Sequence, residues 1–186
     1  MKSLLLLYLF LLPSKEEKFK TIIQHAKNQT LKEVTYDPSY KSIPYPNGDV
    51  PEHLGVCTDV IIRAYRSIGI DLQKLIHEDM KIAHSEYNKR RKTDKLDTNI
   101  DHRRTPNMET FLVRKKAGKP ITDKGADYEP GDIVFWAVAT GHVGLVVDEK
   151  VPGTDRYYIV HNICCGPKKE DFLFEAKITG HYRWMP

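Results

Sequence analysis

The order of hydrophobic patterns along this 186-residue chain predicts an α+β fold, with helices first and an antiparallel sheet second. Three observations carry that prediction. Apolar residues recur at helical spacing through the first half of the chain. Short β-rich runs joined by hairpin-length turns fill the last third. Strand and helix patterns do not alternate as a parallel βαβ sheet would require.

The elements follow in order. Met-Lys-Ser and the apolar run Leu4 to Leu12 are too short to cross a bilayer but fit the hydrophobic region of a signal peptide, closed by Pro13 and Ser14. Residues 1–14 are therefore read as a signal peptide and residues 15–186 as a single domain, periplasmic or secreted, with no integral membrane span in the mature protein. From Lys15 to about Asn28, Phe19, Ile22, Ile23 and Ala26 mark a short amphipathic helix. Tyr36 to Gly55 reads as an extended, turn-rich segment, sharpest at Pro44, Pro46, Asn47 and Gly48.

After Gly55, the residues Val60, Ile61, Ala64, Tyr65 and Ile68 make the stripe of a helix buried along one side. It starts at Cys57 and stops at Gly69. A second helix is expected from Asp71 to about Tyr87, with Leu72, Leu75, Ile76 and Ile82 facing inward, then a charged loop from Lys89 to Asp97. A third, short helix follows Pro106 through Met108, Phe111 and Leu112. Strands are expected at Ile133–Trp136, His142–Val147, Tyr157–Val160 and Ile178–Trp184.

Composition narrows the function. The formal charge of +4 comes from Lys and Arg interleaved with Asp and Glu, not from a basic stripe, so nucleic acid is excluded as a partner. Of the three cysteines, Cys164 and Cys165 are adjacent, which is not a disulfide framework, and Cys57 stands alone. Adjacent cysteines after His161 also lack the spacing of a zinc site, so neither a metal nor another cofactor is expected. His181 is read as a packed or surface residue.

Cys57 falls in the first turn of its helix, where unpaired N–H groups and the helix dipole favour negative charge on a thiolate or an oxyanion. Taken alone it would be an inert core cysteine. His142 changes that reading: it opens a strand directly after Thr140-Gly141, a fixed but accessible position suited to a general base. His161 ends the next strand and can orient the His142 ring. Asn162 could do the same, but strand alternation lets only one of the two point at His142, and His161 is preferred.

Gly141-His142-Val-Gly-Leu-Val-Val147 and Tyr158-Ile-Val-His161, downstream of a helix that starts with Cys57, resemble the NlpC-type cell-wall peptidases of the papain-like superfamily. Pro130-Gly131-Asp132-Ile-Val-Phe-Trp136 is similar to the strand those enzymes place before the histidine hairpin. A wider match, through Tyr36-Asp-Pro, Gly48-Asp-Val-Pro51, Gly55-Val-Cys57-Thr-Asp-Val, Asn99-Ile-Asp-His102-Arg-Arg104, His161-Asn-Ile and Ile178-Thr-Gly-His-Tyr-Arg183, resembles a bacterial family catalogued as domain of unknown function 1287. The resemblance implies a papain-like fold, a Cys57–His142–His161 site and peptidoglycan stem peptides as substrate. The nucleophile context departs from the NlpC pattern, reading Val56-Cys57-Thr58-Asp59 where those enzymes read Asp-Cys-Ser-Gly.

Asp101, Arg103 and Arg104 form a second cluster, whose guanidinium groups could clamp a carboxylate of a peptide. Asp59 and Arg63, four apart on the Cys57 helix, are expected to pair as a structural link. The expected function is a monomeric cysteine peptidase or amidase acting on peptidoglycan or another peptide. A non-catalytic cell-wall binding module and an acyltransferase on the same scaffold are its rivals.

Overall fold

The computed structural model describes residues 13–88 and 95–186. The expected signal peptide, but for Pro13 and Ser14, lies outside the described residues, as does most of the charged loop expected from Lys89 to Asp97.

Helix α1 (Lys15–Gln29) begins with a reciprocal cap: the Ser14 hydroxyl accepts the Glu17 N–H, and the Glu17 carboxylate accepts the Ser14 N–H. Two N–H groups that a helix start leaves open are thereby satisfied. Strands β1 (Thr35–Tyr36) and β2 (Leu54–Gly55) pair in parallel as a two-residue ladder, so the turn-rich segment leaves and returns to one place. It delivers Gly55 to the start of α2 (Cys57–Arg66).

Helix α2 is buried all round, not along one side as its stripe suggests: only Arg63 and Arg66 escape burial. The cause is its central position, packed by α1 on one side and by the sheet on another. The expected second helix is two: α3 (Leu72–Ile82) and α4 (His84–Asn88), broken at Ala83. Ile82 is 84% exposed, contrary to expectation. Leu72, Ile76 and Met80 hold the inward stripe at i, i+4, i+8, and a position six beyond Ile76 falls well off that face. Helix α5 (Thr105–Arg114) carries Pro106 in its first turn, where no helical N–H partner is needed.

The sheet comprises β3 (Ile133–Trp136), β4 (His142–Lys150), β5 (Tyr157–His161), β6 (Lys168–Glu170) and β7 (Ile178–Tyr182). All neighbours are antiparallel, in the order β6-β5-β4-β3-β7. Both faces are covered. Ile133, Phe135, Val143, Leu145 and Val147 pack with α1 and α2 in the main core, whereas Val134, Trp136, Val146 and Ile159 join Tyr128 and Leu173 in a smaller core opposite. That double burial explains why β3 reads as an unbroken apolar run.

Candidate active site

Cys57 is the first residue of α2 and is 5% exposed. Val56 supplies no side-chain cap; the Asp59 carboxylate bends back to accept the Val56 N–H at 2.7 Å. Burial pushes the thiol up to about 11, while hydrogen bonds from the N–H groups of Val143, Thr58 and Cys57 itself pull the other way. The helix start is therefore outweighed by desolvation, and the thiol rests protonated. Its contact with the Val143 N–H brings it to β4 at the strand's first residues.

His142 is that strand's first residue, and it is buried against Trp136 and Phe172. Gly141 before it has φ +111, and a Cβ there would come within 2.5 Å of Thr105 Oγ1, so the turn onto the strand calls for glycine. Burial, and next the neighbouring His161, push the His142 ring down to about 4. Thiol and imidazole are thus each neutral at rest.

His142 Nε2 and His161 Nδ1 lie 2.7 Å apart. The ladder explains how rings two positions out of register meet. His161 pairs with Gly144, where a Cβ would stand 2.6 Å from Ile159 Cγ2 and 3.1 Å from His161 Cβ. The missing side chain lets the His161 ring lie diagonally across to His142. Its other nitrogen, Nε2, is 2.9 Å from Glu170 Oε2 on β6. Asn162 turns to the other face and donates through Nδ2 to the Gly55 carbonyl at 3.3 Å; of the two polar neighbours, His161 is the one that meets His142.

A cleft of about 700 Å³ opens beside Cys57, lined by Tyr36, Tyr40, Arg104, Asn107 and Gly141 among others. The family model for the Domain of unknown function (DUF1287) matches residues 23–184, which takes in the second half of α1, the later helices, the sheet and every residue of this site. The chain belongs to the DUF1287 family. It is also similar to the Uncharacterized protein YijF of Escherichia coli (strain K12), at 45% identity over 167 residues that span 88% of this chain and 80% of that protein.

Within this DUF1287 domain the second predicted cluster divides. Arg103 grips Asp59 with Nε to Oδ1 at 2.9 Å and Nη2 to Oδ2 at 2.8 Å, both side chains almost wholly buried. Its fork is spent on tying the turn 101–103 to the first turn of α2, so it does not present the free clamp expected of it. The Asp101 carboxylate accepts the Asp97 N–H at 2.7 Å, and its carbonyl accepts from Asn107 Nδ2 at 2.9 Å; it braces the cleft wall. Arg104 is exposed and lines the cleft. The expected Asp59–Arg63 pair does not form: with Asp59 taken by Val56 and Arg103, Arg63 turns to Asp49 and to the carbonyls of Val50 and Leu54.

Two residues of the site escape sequence reasoning. Glu170 sits in a Lys-Lys-Glu strand with no apolar alternation to announce it. Tyr36, whose hydroxyl burial pushes up beside Cys57, was visible only as part of the Tyr36-Asp-Pro family match.

Proposed function

We propose that this protein is a cysteine amide hydrolase of papain-like, NlpC-type architecture, with Cys57 as nucleophile, His142 as base and His161 as the residue that orients it. The observation that carries the reading is the 2.7 Å contact between His142 Nε2 and His161 Nδ1, at the strand end where the Cys57 thiol meets the Val143 N–H. A thiol at a helix start and two hydrogen-bonded imidazoles on neighbouring strands, the thiol approaching the first residues of one of them, are the kinds of group acyl transfer draws on, and they support this reading.

Because thiol and ring rest neutral, the proton leaves Sγ as the sulfur attacks. His142 takes it on the nitrogen that His161 does not occupy, Nδ1, while the carbonyl electron pair moves onto oxygen. N–H groups at the start of α2 stabilise that oxyanion. Collapse expels the amine, which takes the proton from His142 and leaves a thioester on Cys57. Water then attacks the thioester, giving its proton to His142, and the thiol is released and reprotonated.

The resemblance supports peptidoglycan stem peptides, met outside the cytoplasm, as the substrate, and the exposed Arg104 at the cleft supports a carboxylate near the scissile amide. Digestion of purified muropeptides with wild type and Cys57→Ala, products read by mass spectrometry, tests the reading. Wild type is expected to release peptide fragments and Cys57→Ala none. Cleavage that survives the substitution overturns the cysteine mechanism, and tight binding without cleavage by either protein favours a recognition module.

A further inference from the structure

Glu170 lies outside the three residues of the proposed mechanism, yet it ends their chain of contacts. It is the last residue of β6, a short edge strand paired to β5 through His161↔Lys168, Val160↔Lys169 and Ile159↔Glu170. Its carboxylate is part exposed, while the ring it meets, His161, is 1% exposed. Phe172 packs over that ring with centroids 4.4 Å apart, so the imidazole is held in place between an aromatic face and a carboxylate.

The hydrogen-bond arithmetic of two imidazoles and a carboxylate has one solution when both rings are neutral. A carboxylate only accepts, so His161 Nε2 must carry the hydrogen it donates to Glu170 at 2.9 Å. His161 Nδ1 is then a bare acceptor, and the 2.7 Å contact requires His142 Nε2 to carry a hydrogen. His142 Nδ1 is left with its lone pair. We infer that Glu170 is a positioning residue that sets, through His161, which nitrogen of His142 is the free base. The inference rests on the proposed reading for its catalytic meaning, but the tautomers it predicts hold in the resting protein whether or not an amide is cut.

The same carboxylate favours charge on His161, against its burial and against Lys168. When His142 becomes imidazolium during attack, its Nε2–H remains pointed at His161 Nδ1. Glu170 then faces a positive ring through one intervening imidazole, with no proton needing to leave the chain. The charged and titratable groups facing the two rings are Glu170 and Lys168 from β6, and each ring from its neighbouring strand.

The test is nitrogen-15 NMR of full-length protein labelled at histidine, with His142 and His161 signals assigned by their loss in His142→Gln and His161→Gln. Wild type is expected to carry hydrogen on Nε2 of both rings. Glu170→Lys offers a donor in place of the acceptor and is expected to move the hydrogen to Nδ1 on both. Its kcat on muropeptides falls at least 100-fold with KM little changed. Glu170→Gln, which still presents a carbonyl oxygen, keeps the Nε2 tautomers and loses less kcat than Glu170→Lys. An Nδ1–H on His142 in wild type, or unchanged tautomers in folded Glu170→Lys, overturns the inference. Expected tautomers in a wild type that cuts no amide would retain this role for Glu170 and remove the hydrolase reading instead.

Discussion

Two imidazole–carboxylate pairs sit in the same sheet and are built to opposite ends. On β7, His181 is 2% exposed, with Nε2 at 2.8 Å from Asp132 Oδ2 and Nδ1 at 2.8 Å from the Pro120 carbonyl. Asp132, fully buried, also accepts from Arg183 at 2.7 Å and from the Glu129 N–H at 2.8 Å. Arg183 in turn lies over the Phe19 ring, 4.2 Å from its centroid. Both ring nitrogens and both carboxylate oxygens are committed, and the cluster locks β7 and the loop before β3 to α1. On β4 and β5 the chain from Glu170 through His161 to His142 uses three of the four ring nitrogens and leaves Nδ1 of His142 without a hydrogen bond to any described residue. Equal chemistry thus makes a brace where every valence is satisfied and, on the proposed reading, a base where one is not.

Exchanging single residues across the two clusters should separate those roles. His142→Gln is expected to lower kcat for amide cleavage by about 10⁴-fold or more, as loss of a catalytic base does, with little change in melting temperature. Asp132→Ala removes the acceptor of three donors, leaving the His181 Nε2–H buried without it, and breaking such a buried cluster costs about 3–5 kcal/mol. At roughly 2–4 °C per kcal/mol for a domain of this size, the melting temperature should drop by on the order of 10 °C. Steady-state kinetics beside thermal melts read both effects. A comparable stability loss in His142→Gln, or full stability in Asp132→Ala, breaks the contrast.

The difference between the clusters was only partly legible in the sequence. The helical stripes of α1 and α2 and the four apolar strands follow from side-chain period, which the chain carries locally. Cys57, His142 and His161 could be read because thiol and imidazole are rare and fall at element ends. Glu170 could not, since a three-residue charged edge strand exists only through its hydrogen bonds to β5. Nor could Arg103 be told from Arg104: adjacent in one turn and alike in charge, they differ only because Asp59 approaches one of them from α2. Ile82 is apolar yet exposed because helical phase, not hydrophobicity alone, decides which face a residue shares. The commitment of His181 likewise depends on Pro120 and Asp132, distant in sequence and brought in by folding.

Acid titration sharpens the comparison further. Burial holds His142 and His102 down to about 4, below the ordinary value near 6.5 that each regains on unfolding. Groups depressed in the folded state contribute stability that is fully present above about pH 6.5 and is lost as pH falls toward 4, at roughly 1–3 kcal/mol per histidine. Denaturant unfolding at pH 7 and pH 4.5 should therefore show a clear loss in wild type. His142→Gln removes its own share, so its stability should fall less between the two conditions. A variant whose loss equals that of wild type would show that His142 titrates normally in the folded protein.

The smallest effect expected concerns the arginines, which repeat the pattern of the histidines. Arg183 is spent on Asp132 and Arg103 on Asp59, while Arg104, exposed at the cleft, makes no side-chain hydrogen bond or ion pair with any described residue. The carboxylates around it are otherwise engaged: Asp97 accepts from the Tyr40 hydroxyl and the Asn99 N–H, and Asp101 from the Asp97 N–H. An exposed guanidinium reading one substrate carboxylate contributes about 1–2 kcal/mol, so Arg104→Ala should raise KM roughly 10-fold at nearly constant kcat. The decisive comparison uses substrate in two forms, with the free carboxylate and with its primary amide. If Arg104 reads that group, wild type prefers the carboxylate and Arg104→Ala treats the two alike; a preference that survives the substitution assigns the recognition to another cleft residue. Arg103→Ala, by contrast, leaves Asp59 buried without a counter-ion in the first turn of the Cys57 helix, so on the proposed reading it should cost stability and kcat together rather than KM alone.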